Sequence, residues 1–167
     1  MKNLIIRILL FLTLLKGTIV SILVTSFNQI QEEFGLSLTQ LGLLTTVFYT
    51  FIFIGTLFWA NMMGRISRLN IYKIGTTIWT FGLIFTFLNI SYGWYLLLFS
   101  VIGFGSESTT IIIFNQVNDL SNSDNITKNN SSVIIFSGLG NLIGTMITST
   151  LEQKYLIKWN LITGTIG

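Results

Sequence analysis

Long apolar runs alternate with short polar segments along the chain, and the runs have the length of membrane-spanning helices. The clearest pair is LGLLTTVFYTFIFIGTLFWANMM and IYKIGTTIWTFGLIFTFLNI, joined by the polar turn GRISRLN. At about 1.5 Å per residue, about twenty apolar residues cross a hydrocarbon core about 30 Å thick. The pattern predicts helices at about residues 4–27, 41–63, 71–90, 95–119 and 133–151.

A shorter apolar run, 160–167, follows the fifth helix. Its roughly eight residues give about 12 Å of helix, which is too short to cross a bilayer. We therefore expect an incomplete sixth helix at the end of a single transmembrane domain, 1–167. The polar segments 28–40 and 120–132 are predicted to be loops between helices.

Composition supports a membrane protein and narrows its chemistry. Only 9% of the 167 residues are charged, against about 25% in soluble domains. The sequence has no Cys and no His, so disulfides, thiolate chemistry, His-based metal sites and the commonest general base are excluded. We predict no enzyme activity, no catalytic or metal-binding residues and no cofactor. The basic residues form no stripe, so a nucleic-acid partner is not predicted either.

The distribution of basic residues predicts the orientation in the membrane. Lys and Arg are enriched in the cytoplasmic loops of membrane proteins. One side of the predicted bundle carries Lys2, Arg7, Arg65, Arg68, Lys73 and Lys128, and the other carries Lys154 and Lys158. This asymmetry predicts an integral, multi-pass protein with a cytoplasmic N-terminus, and it does not identify the membrane.

Two ionisable residues, Lys16 and Glu107, lie inside apolar runs. An ionised group at the bilayer centre costs roughly 2.5 to 3.5 kcal/mol, so it tends to face a cavity or a partner. Both residues lie about 18 Å from an end of their predicted helices, which predicts a pair at the same depth. The alternatives are a snorkelling Lys16 and a Glu107 carboxyl that bonds to neighbouring Ser and Thr. Asn115 adds a polar group to the same helix.

Glycines recur where helices are expected to touch. They allow close approach of two backbones without a hydrophobic driving force. These positions are Gly75, Gly82, Gly103, Gly105, Gly140 and Gly144. We interpret them mainly as packing residues of a tight bundle.

Several motifs together resemble the major facilitator superfamily of transporters. The second helix begins with Leu41-Gly42-Leu43-Leu44-Thr45-Thr46-Val47-Phe48, and the turn after it ends in Gly64-Arg65-Ile66-Ser67-Arg68. The fourth helix contains Gly103-Phe104-Gly105-Ser106-Glu107. These motifs resemble the N-terminal six-helix half of such a transporter, most closely a spinster-like member.

The resemblance implies a secondary active transporter that works by alternating access and has a site near the bilayer midplane. It implies a small organic or lipid-like solute as the substrate, with Glu107, Lys16 and Asn115 in the cavity. It also implies a cytoplasmic gate that contains Arg65 and Arg68, for which Asp119 is a candidate partner. The alternatives are positive-inside anchoring for the arginines and a solvated loop acid for Asp119.

Further partners and an alternative function are also compatible with the sequence. The lipid bilayer surrounds the chain, and a coupling ion and a C-terminal six-helix half are further candidate partners. The alternative function is a non-transporting membrane scaffold or regulator, or a subunit that pairs with a separate C-terminal half.

Overall fold

The computed structural model describes residues 2–86, 88 and 90–155, with side chains up to residue 150. Within these residues the chain forms six α-helices and a short 3-10 helix at Ser123–Asn125. The α-helices are α1 Lys2–Thr25, α2 Phe27–Phe34, α3 Leu38–Met62, α4 Arg68–Phe85, α5 Tyr92–Leu120 and α6 Ile126–Tyr155. The predicted helix 160–167 lies outside the described residues.

The first span is longer than predicted, and the prediction of a loop over the whole of 28–40 is wrong. Only Ser26 separates α1 from α2, and its hydroxyl donates to Ile22 O at 2.7 Å. Helix α2 is amphipathic: Ile30 is fully buried, whereas Glu32 and Glu33 are exposed. The segment contains no helix breaker before Gly35, which ends α2 with a left-handed φ of 59°.

The prediction of a loop across 120–132 is also wrong in its second half, because α6 begins at Ile126. Two asparagines in its first turns bond back to the end of α5. Asn129 Nδ2 donates to Ser121 Oγ, and Asn130 Nδ2 donates to Asn118 Oδ1, both at 2.7 Å. These bonds satisfy the side-chain amides of Asn129 and Asn130, so this polar segment can be helical rather than a solvated loop.

Serine caps fix where three of the helices begin. Ser37 and Gln40 form a capping box at the start of α3. Ser67 accepts from Asn70 N at the start of α4, and Ser91 accepts from Trp94 N at the start of α5. Each cap satisfies a backbone N–H that has no partner within its helix.

Among the described residues, length and hydropathy identify four segments that could each cross a membrane, and α4 is not one of them: Lys2–Phe34, Leu38–Met62, Tyr92–Leu120 and Ser123–Thr150. The helix predicted at 71–90 corresponds to α4, which starts and ends earlier than predicted. It has 18 residues and is about 27 Å long. Its first two turns are the more polar part, with Arg68, Asn70 and Lys73.

The helices pack as two groups. Helices α3 and α4 both pack along α5, whereas α1 packs along α6. Where α2 meets the end of α1 and the beginnings of α3 and α5, an aromatic cluster fills the core: Phe27 and Phe48 contact Phe99 edge-on, with ring centres 5.0 and 5.9 Å away. Contacts of α5 with α1 and α6 are much less extensive, and the candidate site lies there.

Candidate functional site

Glycines bring the helices within each group into close contact, as the sequence predicted. A Cβ at Gly103 would lie 2.7 Å from Phe48 O of α3, and one at Gly105 would lie 2.8 Å from Trp79 N of α4. In the other group, Gly140 faces Leu14 O and Gly144 faces Thr18 O of α1. Each group therefore packs backbone against backbone.

A cavity of about 400 Å³ lies where the two groups meet. Its walls come from α1, α5 and α6, with Ile52 contributed by α3. Most of the lining is apolar, and the polar residues that line it are Thr13, Lys16, Ser106, Glu107, Thr110, Ser137 and Asn141. Such a volume is within the range of small-molecule sites.

An ion pair crosses this cavity from α1 to α5. Lys16 Nζ lies 2.9 Å from Glu107 Oε1, and the two side chains are only 14% and 13% exposed. Lys16 also donates to Thr110 Oγ1. The second carboxylate oxygen, Glu107 Oε2, has only a long contact of 3.5 Å with Thr56 Oγ1. The pair is therefore hydrogen-bonded on one side, and one carboxylate oxygen is left weakly engaged.

The pair lies near the middle of its helices. Lys16 is about 21 Å from the start of α1, and Glu107 is about 22 Å from the start of α5, which is about 43 Å long. Opposite charges in a low-dielectric setting interact more strongly than in water, and pairing offsets part of their cost of desolvation. The arrangement can hold a charge at mid-membrane depth, and an ionic ligand could compete for either partner.

The third predicted cavity residue, Asn115, lies outside this lining. Its Nδ2 donates to Ile111 O of its own helix at 2.9 Å. Asn115 follows Glu107 by eight residues, which turns its side chain about 80° around the helix. A part for Asn115 in substrate binding stays a prediction.

The residues predicted to form a gate separate into a pair and a single arginine. Arg68 forms an ion pair with Asp119 and so joins the start of α4 to the end of α5. Both side chains are substantially exposed, at 41% and 56%. Arg65 is exposed and has no ion-pair partner among the described side chains. That these residues control access to the cavity stays a prediction.

Comparison with models of protein families identifies the family to which this chain belongs. Residues 9–165 match the family model of the Major Facilitator Superfamily. The chain belongs to this superfamily. The predicted family and the predicted all-helical membrane fold are thereby confirmed, and a truncated superfamily half fits the structure. A search among curated proteins finds no match.

Membership of the superfamily indicates a general function and a location in the cell. Members are transporters that bind small solutes and lie in the lipid bilayer, and this chain is accordingly an integral, multi-pass membrane protein. Membership alone does not support the spinster-like subgroup.

Sequence reasoning about this superfamily member missed five polar residues of the lining, Thr13, Ser106, Thr110, Ser137 and Asn141. Thr110 lies one turn after Glu107, so its part in holding Lys16 was detectable from helical spacing. Ser137 and Asn141, one turn apart on α6, line the same cavity. Nothing in the sequence alone indicates that α6 rather than another helix closes this side.

Proposed function

We propose that this chain forms one half of a secondary active transporter, in which the Lys16–Glu107 pair is the polar centre of the solute site. The observation that carries the proposal is the position of the pair, which lies in a cavity, near the middle of its helices, between two helix groups. A merely structural ion pair would not require a cavity of this size beside it.

The packing supports alternating access as the mechanism. Each helix group has close glycine contacts inside it, whereas α1 and α5 contact each other only sparsely. Small movements between the groups would therefore open or close the cavity without separating backbones that pack tightly. A bound solute would shift this equilibrium if it bound one arrangement better than the other.

The chemistry of the walls supports a small organic or lipid-like solute. Lys16 has a third N–H beyond those directed at Glu107 and Thr110, and Glu107 Oε2 has an acceptor position to spare. Around them the lining is apolar, with Val20, Ile113 and Phe114. We propose a solute with an ionic or strongly polar end that binds the pair and an apolar body that contacts these walls.

Several finer statements belong to the same proposal. The cytoplasmic N-terminus rests on the asymmetry of Lys and Arg, and the spinster-like subgroup rests on the motifs of the second to fourth predicted spans. A coupling ion and a second six-helix half are further parts of the proposed transporter. Arg68 and Asp119, with Arg65 nearby, would form its cytoplasmic gate.

Cysteine labelling tests whether the cavity is a water-filled solute site. The sequence contains no Cys, so each variant carries a single reactive thiol. In lipid vesicles, Ser137→Cys should react with a membrane-impermeant thiol reagent. The matched control is Met146→Cys on the same helix, which is 68% exposed on the apolar surface and should not react.

Uptake measurements then test transport itself. The protein, alone or with a second six-helix half, is reconstituted in vesicles and offered a panel of small organic ions and lipid-like solutes. At least one should be taken up, should protect Ser137→Cys from labelling, and should lose uptake in Glu107→Gln. An unreactive Ser137→Cys together with no uptake from the panel would favour the scaffold or regulator.

A further inference from the structure

A second cavity, of about 470 Å³, lies at the end of the bundle where α1 and α6 begin. Three basic side chains line it: Lys2 and Arg7 from the first turns of α1, and Lys128 from the first turn of α6. None of the acidic side chains that the structure describes is part of its lining. The lining itself therefore carries three positive charges and no negative one, although Asp124 lies next to the lining residue Asn125 in the chain.

The three basic residues differ from Arg68, which has Asp119 as its partner. Among the described side chains, none of Lys2, Arg7 and Lys128 forms an ion pair. All three side chains are exposed, so each keeps N–H groups that an anion placed between them could bind. Charge-assisted hydrogen bonds from Arg and Lys are strongest toward phosphate and carboxylate oxygens.

Amide groups complete the lining and hold its wall in place. Asn125 and Asn129 line the cavity, and Asn129 is fixed by its 2.7 Å bond to Ser121 Oγ. Next to it, the 2.7 Å bond from Asn130 to Asn118 ties α6 to the end of α5. The wall is thus already formed, which lowers the ordering cost of binding.

The surroundings favour a lipid over a soluble anion. In the same two turns of α1 that supply Lys2 and Arg7, the side chains of Leu4, Ile5 and Ile8 are exposed. A ligand whose charged end entered the cavity could therefore lay an apolar chain along this helix. Basic pockets between transmembrane helices at the membrane surface are known to suit anionic headgroups.

We propose that this cavity binds the phosphate group of an anionic phospholipid, held by Lys2, Arg7 and Lys128. The site is separate from the Lys16–Glu107 cavity, and it does not depend on the chain being a transporter. It gives the three basic residues a binding role in addition to the part in topology that the sequence predicts for them.

The lipid that the purified protein retains in micelles tests the proposal. The result does not depend on which way the protein is oriented in a membrane. The protein is transferred to micelles with equal amounts of dioleoyl phosphatidylglycerol and dioleoyl phosphatidylcholine, and bound lipid is counted by native mass spectrometry. In the double variant Arg7→Gln/Lys128→Gln, the ratio of bound phosphatidylglycerol to bound phosphatidylcholine should fall roughly thirtyfold. The control Arg65→Gln/Lys73→Gln removes the same charge outside the cavity and should keep that preference.

Two further arms keep the result decisive. Arg7→Lys/Lys128→Arg preserves the charge and should retain the lipid, which separates loss of binding from loss of folding. Glycerol 3-phosphate and inorganic phosphate, added at millimolar concentration, should not displace the lipid. Equal losses in the control and the test variant, or full displacement by either soluble phosphate, would overturn the assignment to a lipid.

Discussion

Helix α1 meets its two neighbours through contacts of different kinds. Toward α6, glycines bring the backbones together, and Ser21 Oγ donates to Asn141 O at 2.7 Å. Toward α5, a cavity lies between parts of the two helices, and the Lys16–Glu107 ion pair joins them across it. The first contact brings backbone against backbone, whereas the second combines the central ion pair with contacts between apolar side chains, such as the buried cluster of Leu9 with Ile113 and Val117.

The difference shows how one helix can combine stability with function. A close glycine interface resists movement, because any shift brings backbone atoms into collision. An ion pair across a cavity can be exchanged for contacts with a solute without such a collision. If this comparison is right, substitutions on the two sides of α1 should have different consequences.

The largest effect is expected from breaking the ion pair. Lys16→Leu or Glu107→Leu alone leaves an uncompensated charge, and loss of one partner of a buried pair typically costs about 3 to 5 kcal/mol. The double variant removes both charges and should be more stable than either single variant. Denaturant unfolding in detergent, analysed as a double-mutant cycle, measures this coupling.

A control on the same helix sharpens that measurement. Among the described residues, the Thr18 hydroxyl donates to Leu14 O alone, at 3.0 Å within α1, so Thr18→Val should change stability little and show no coupling to Glu107→Leu. Simple additivity between Lys16→Leu and Glu107→Leu would mean that the pair is not coupled. Lys16 would then be snorkelling, and Glu107 would be a locally satisfied carboxyl.

A smaller effect is expected at the glycine interface. A methyl group at Gly140 would collide with the backbone of Leu14, whereas one at Gly138 meets nothing within 4 Å. Gly140→Ala should destabilise the fold by about 1 to 3 kcal/mol, as overpacking does. Gly138→Ala should be neutral or slightly stabilising, because Ala favours a helix over Gly. The same unfolding assay compares the two, and equal stability would contradict the close interface.

Predictions that used the geometry of a helix agreed with the structure better than those that used local composition. The depths of Lys16 and Glu107 followed from counting residues along a helix, and the structure brings the two together. The helical first turns of α6 were missed, because their asparagines are satisfied by α5, a tertiary contact that local composition does not reveal. Asn115 was assigned by proximity along the chain, although helical phase already separates it from Glu107.

The smallest stability effect is expected at the predicted gate, and there the readout must be access rather than stability. Arg68 and Asp119 are exposed, so losing their ion pair through Arg68→Gln should cost only about 0 to 1 kcal/mol. The pair nevertheless joins α4 to α5 at the end of the bundle, where a gate would close. In a Ser137→Cys background within a complete transporter, Arg68→Gln should therefore change the thiol labelling rate from the side that carries Arg68. Arg65→Gln removes an equal charge from the same turn and breaks no ion pair of the described side chains, so it should change that rate much less than Arg68→Gln does. Equal effects of the two substitutions would assign both arginines to positive-inside anchoring, because anchoring depends on the charge and not on Asp119.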